Sequence, residues 1–176
     1  MPVPLIWLGA AALGLYTANE ANTAYLKRKM IIDAMPGESP HYTVPVNGSI
    51  ITCGIYGVLD HTGIWVDGNV YELAGSGLVR CVSPERFVGE RSGRHVYIAC
   101  DSSNNALFDI NAAKKAQSLL FSNLDYHLLN ENCHKFVAEV LANQSVDITS
   151  FSDLNTFLND FFSSSIRWNL TEINFR

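Results

Sequence analysis

Asp67-Gly68 sits between two β-rich runs, Thr62–Val66 and Val70–Leu73, and no other dipeptide in this chain restricts the fold as tightly. Asp-Gly in that setting predicts a two-residue type I′ turn, whose central positions both need positive φ. The turn then sets the register. Val66 pairs with Asn69, Gly63 lies opposite Glu72, and His61 lies opposite Ala74. Paired residues share a face, and so do residues two apart along a strand. His61, Gly63, Trp65, Val70, Glu72 and Ala74 therefore fall on one side. His61 and Glu72 become diagonal neighbours, about 7–8 Å apart at the backbone, with only a glycine between them. A three-residue loop would shift the register by one and carry Glu72 to the other face.

Further strand-like runs lie at Ser49–Tyr56 and His95–Ala99. Val82–Gly89 reads as a turn or short helix after Ser83-Pro84. Asn111 can cap a helix running to about Ser122, with Ala112, Ala116 and Leu119 on one face. A second helix starts at Asn132 and runs to about Leu141, and a third covers Asp153–Phe161. The expected fold is α+β, with a small antiparallel sheet packed on the helix that carries Cys133.

The chain has 176 residues, enough for one domain, and its 48% hydrophobic content supports a packed core. The net charge of -5 argues against a nucleic-acid partner, which selects a basic face. Of the four cysteines, Cys53, Cys81, Cys100 and Cys133, no two stand at C-x-x-C spacing. The spacing points to no metal or redox site, while an even count leaves a disulfide framework open.

Residues 1–19 carry no charged side chain, and Leu5–Leu15 is an apolar run. No basic residue precedes that run, as one would in a cleaved signal. The expectation is a transmembrane helix over 1–26, with Lys27-Arg28-Lys29 after it holding the rest of the chain on the cytoplasmic side. An unusual signal, or an apolar helix buried against the domain, is the alternative. Ala10, Gly14 and Ala18 recur every fourth residue, a spacing that could pair two such helices into a homodimer. Residues 27–48, with Pro36, Gly37, Pro40, Pro45 and Gly48, read as a linker. Residues 49–150 form the domain. Residues 151–176 form an extension rich in aromatic side chains, among them Phe151, Phe157, Phe161, Phe162 and Trp168, that packs on it.

Cys133 stands apart from the other three cysteines, which lie in or beside apolar runs. Asn132 is a good N-cap, so Cys133 would be the first helical residue. Unpaired N–H groups and the positive dipole end both favour a thiolate there. Phe136, Val137 and Val140 give the helix an apolar face. Cys133 is thus the candidate nucleophile, His61 its base and Glu72 the group that orients the base. The bland alternatives are a buried inert thiol, a strand histidine and a solvated carboxylate. His134 reads as a surface residue of the helix rather than a second base. Arg80, Glu85, Arg86 and Arg91 are candidates for a substrate entrance by position alone.

His61-Thr62-Gly63-Ile64-Trp65-Val66-Asp67-Gly68-Asn69-Val70-Tyr71-Glu72, followed later by Asn132-Cys133-His134-Lys135-Phe136-Val137, resembles the lecithin:retinol acyltransferase-like group of permuted NlpC-type papain-fold cysteine enzymes. The resemblance spans about residues 42–142. It implies a permuted papain-like fold, Cys133 as nucleophile, His61 as general base and no cofactor. Glu72 falls where the group commonly places a second histidine. His134 falls where the acyltransferases often have Glu, which weakens lipid acyltransferase specificity but leaves the thiol chemistry. The implied function is a membrane-anchored acyl hydrolase or acyltransferase, with a membrane lipid or other acylated molecule as substrate. The competing expectations are a peptidase or amidase on peptidoglycan or protein conjugates, and a catalytically silent interaction domain.

Overall fold

The computed structural model describes residues 19–55, 59–89, 95–124 and 132–171. In chain order the first elements are α1 (19–28), β1 (Ile32–Ala34), β2 (Tyr42–Thr43), β3 (Ile50–Ile55), β4 (Leu59–Val66), β5 (Asn69–Leu73) and β6 (Val79–Val82). Then follow α2 (Pro84–Gly89), β7 (Tyr97–Cys100), α3 (Ile110–Ser118), α4 (Cys133–Ala142), α5 (Phe151–Phe162) and β8 (Ile166–Thr171).

Asp67 and Gly68 both have positive φ, 49° and 80°, which makes the β4–β5 turn type I′. The pairs Ile64↔Tyr71, Trp65↔Val70 and Val66↔Asn69 follow from it. Asn47 braces the turn, donating to Asp67 Oδ1 and accepting from Asp67 N–H.

The sheet is larger than the small antiparallel one expected, and it is mixed. Its order is β1-β8-β7-β3-β4-β5-β6, with β2 also on β8. The ladders from β8 through β6 are antiparallel, whereas β1 and β2 run parallel to β8. β8 enters between β7 and the 32–43 segment. The same segment thus pairs with the start of β8 at Ile32↔Ile166 and with its end at Tyr42↔Leu170. Pro36 and Pro40 lie between those two pairings. Proline has no N–H to give a ladder, so the strand is broken there and stays at the edge. At the opposite edge, Phe121 N–H donates to Val79 O and Val79 N–H to Ser122 O, both at 2.9 Å. Leu78 also bridges Asn123.

Strand alternation divides the core in two. Ile50, Ile64, Val66 and Leu73 face α3, α4 and α5, meeting Ala116, Phe136, Val137, Leu154 and Leu158. Ile51, Trp65, Val70 and Ile98 face the other way, where Phe87 of α2 packs. Helix starts are set by local capping. Asp109, not Asn111, caps α3 by accepting from Asn111 N–H at 2.6 Å. Ser150 and Asp153 form a capping box at α5. Trp168 of β8 is fully buried and donates from Nε1 to Asn155 Oδ1 of α5 at 2.8 Å.

The expected membrane-spanning helix, and with it the single-pass membrane placement with a cytoplasmic domain, is corrected. Among the described residues no helix is long and apolar enough to cross a membrane. The described part of the 1–26 segment is α1, which carries Glu20 and Asn22. It docks on the domain, where Leu26 is buried and Asn22 Nδ2 donates to Ser152 Oγ of α5. Residues 1–18, with the Leu5–Leu15 run and the Ala10, Gly14, Ala18 spacing, lie outside the described residues.

Candidate active site

Asn132 caps α4 from an extended backbone. Its Oδ1 accepts from His134 N–H at 2.9 Å and Lys135 N–H at 3.0 Å, and its Nδ2 donates to Thr149 O at 3.1 Å. Cys133 is therefore the first helical residue, at the positive end of the helix dipole. Phe136, Val137 and Val140 anchor the helix on the sheet, and the thiol residue is only 5% exposed.

The hairpin brings His61 and Glu72 together. His61 Nε2 lies 2.7 Å from Glu72 Oε2. Glu72 is fully buried, and a lone carboxylate would be costly there. Its other oxygen, Oε1, accepts from Arg80 Nε and Nη2, each at 2.7 Å. Arg80 stands directly opposite Glu72 across β5 and β6. This guanidinium is thus part of the buried network, a role that its loop-like sequence position did not reveal. Gly63 leaves the diagonal open. A Cβ there would stand 2.7 Å from Val70 Cγ1 and 2.9 Å from Tyr71 O. Phe87 closes this side, its ring centroid 5.4 Å from that of His61.

The thiol and the imidazole act on each other. Burial alone would push His61 down, but its hydrogen bonds to Cys133 and Glu72, and their charges, outweigh it and hold the imidazole above its usual value. Burial alone would likewise raise Cys133. Hydrogen bonds and charge from His134 and His61 overcome that and hold the thiol well below its usual value. Both shifts run toward a thiolate beside an imidazolium, the order of charge in which Arg80, Glu72, His61 and Cys133 would alternate in sign.

His134 is buried, which corrects its reading as a surface residue. Its Nδ1 lies 3.1 Å from Thr62 Oγ1 and 3.9 Å from Cys133 Sγ. Its ring packs on Phe151, 5.5 Å between centroids, and Phe151 packs on Trp168. It lies in the first turn of α4 with Cys133, and that turn faces β4, an orientation the local sequence does not set. Asp60, two residues before Thr62, is pushed up to about 6 by burial, with His134 opposing and Cys133 adding.

Glu85 and Arg86 are exposed on α2, and Arg91 lies outside the described residues. All four cysteines are free. Cys53 and Cys100 are buried, as expected of thiols in or beside apolar runs, whereas Cys81 is exposed. Among the described residues no group of His, Cys, Asp and Glu is arranged to hold a metal ion. Comparison of the chain with protein-family models, with curated proteins and with solved structures finds no match.

Proposed function

We propose that this protein is a cysteine acyl-transfer enzyme, an acyl hydrolase or acyltransferase on an ester, thioester or amide. The observation that carries the reading is the thiol of Cys133 at a capped helix start, interacting with an imidazole that a fully buried carboxylate holds at 2.7 Å. The sequence resemblance to the lecithin:retinol acyltransferase-like group supports the same chemistry on the same three residues.

With Nε2 of His61 committed to Glu72, Nδ1 is the ring nitrogen left to exchange a proton with sulfur. Cys133 Sγ attacks the carbonyl carbon, forming a C–S bond as the carbonyl π pair moves to oxygen. The N–H of Cys133, at the first position of α4, donates to that oxyanion in this scheme. Collapse expels the alcohol, thiol or amine, which receives the proton of the His61 imidazolium. Water or a second alcohol or amine then attacks the thioacyl carbonyl, gives up its proton to imidazole, and releases the thiolate. Glu72 stabilises the imidazolium and fixes its orientation.

The test is iodoacetamide labelling against pH on the full chain, with Cys133→Ala, His61→Ala and Glu72→Gln alongside. Labelling is expected to map to Cys133, to persist well below the ~8.5 of a free thiol, and to fall in His61→Ala and Glu72→Gln. Release of p-nitrophenol from acyl esters, read with water, alcohols and amines as acceptors, then separates hydrolysis from transfer. Cys133 labelling no faster than the exposed Cys81 would sink the reading.

A further inference from the structure

Sulfur at this site meets two imidazoles, and the acyl-transfer scheme uses only one. His61 belongs to β4 and is held through Glu72 on the face of the strand that Phe87 covers. His134 belongs to α4 and is moored to Thr62, the next residue of β4, whose side chain points to the opposite face. The two rings thus reach the thiol with separate anchors. His134 Nδ1 lies 3.9 Å from Sγ. Phe151 packs against its ring at a tilt, so the imidazole is held by packing as well as by the hydroxyl.

We propose that His134 is a second acid–base residue of the Cys133 thiol, positioned by Thr62, serving the acceptor half of acyl transfer while His61 serves the donor half. The inference rests on the acyl-transfer reading and adds a residue to it. Expelling the leaving group needs an imidazole that carries a proton, and activating the acceptor needs one that does not. A single histidine must change state between the two steps. With two, His61 gives its proton to the leaving group, and His134 takes the proton from the water, alcohol or amine that attacks the thioacyl carbon. As the C–S bond breaks, sulfur leaves as the thiolate. The His134 proton then passes to His61, directly or through the thiol, and restores the starting state. The groups that set the charge around this exchange are Asp60 and His61 on β4, Glu72 on β5, Arg80 on β6 and, through Asp60, Tyr97 on β7. From α5 comes the uncharged ring of Phe151.

The experiment follows p-nitrophenol release from an acyl ester under pre-steady-state conditions, with the iodoacetamide pH profile alongside, in wild type, His61→Ala, His134→Asn, Thr62→Val and Thr62→Ser. Asn keeps a polar atom near the Nδ1 position but cannot exchange the proton. His134→Asn should keep the first-turnover burst and slow the following turnover by about 10²-fold or more, whereas His61→Ala should lose the burst itself. Thr62→Val should slow turnover in the same step as His134→Asn, and Thr62→Ser should restore it. If His134→Asn does not fold, the two Thr62 variants decide by the same readout. The inference is overturned if these variants leave burst, turnover and pH profile as in wild type. It is equally overturned if they remove the burst as His61→Ala does. A wild-type Cys133 without enhanced reactivity overturns the acyl-transfer reading first and this inference with it.

Discussion

Charge in the buried site is ordered residue by residue, and each member is explained by its neighbour. Arg80 favours Glu72 as an anion inside the protein, Glu72 favours the protonated form of His61, and His61 with His134 favours the thiolate of Cys133. For Asp60 the opposing charge of His134 is outweighed, and burial drives its carboxyl up to about 6 from 3.8. The sign follows from linkage. A carboxyl raised in the native state adds stability below its unfolded pKa, and that contribution is lost as pH rises through the native one. Each pKa unit is worth ~1.4 kcal/mol, so ionised Asp60 weakens the fold by about 3 kcal/mol above pH 7 relative to pH 3. Urea unfolding of wild type and Asp60→Asn across that window is expected to show the variant gaining on wild type by that amount as pH rises. A stability difference that stays constant from pH 3 to 7 would disprove the burial argument. Cys133 runs in the opposite sense. Its depressed pKa contributes stability at alkaline pH, which is lost as pH falls through the native value.

Among the elements, those set by local chemistry were legible and those set by distant pairing were not. Asp67-Gly68 fixes its hairpin within the turn, so the His61–Glu72 diagonal could be derived before any tertiary contact was known. Asn132 and Cys133 likewise announced the start of α4. β2, by contrast, is two residues long and exists because β8 lies beside it, a pairing |i−j| of more than a hundred residues that no local pattern encodes. β6 was missed because Val79–Val82 is short and interrupted by Arg80 and Cys81, and its polar Arg80 makes sense only once Glu72 is opposite. The burial of His134 depends on which side of the first turn of α4 meets the sheet, which its own sequence leaves open. The cap itself makes a clean test. Asn132→Ala removes the acceptor for two N–H groups and the donor to Thr149 O. It is expected to lower stability by about 0.5–2 kcal/mol. Iodoacetamide labelling of the same variant should move to higher pH, since the first turn that holds sulfur loosens. An unchanged melting temperature together with an unchanged labelling profile would remove the cap from the account.

For the whole molecule, the C-terminal segment ties the sheet to the helical layer. β8 lies between β7 and the 32–43 segment, and Trp168 joins it to α5 and, through Phe151, to His134 beside the thiol. Trp168→Ala is expected to cost about 3–5 kcal/mol, from the cavity and from the unpaired Asn155 amide. The measurement is the urea midpoint, and a loss under 1 kcal/mol would mean that this junction is dispensable. The broken strand at residues 32–43 also bears on how copies of this chain meet one another. Sharing of strands between molecules, as in domain swapping or fibril growth, begins at a sheet edge that offers an unbroken row of free N–H and C=O groups. One edge here is interrupted by Pro36 and Pro40, and the other is already occupied along Leu78 and Val79 by the Phe121–Asn123 turn. Among the described residues, both ends of this sheet therefore offer a newcomer only short stretches to template on, which works against strand sharing through these two edges.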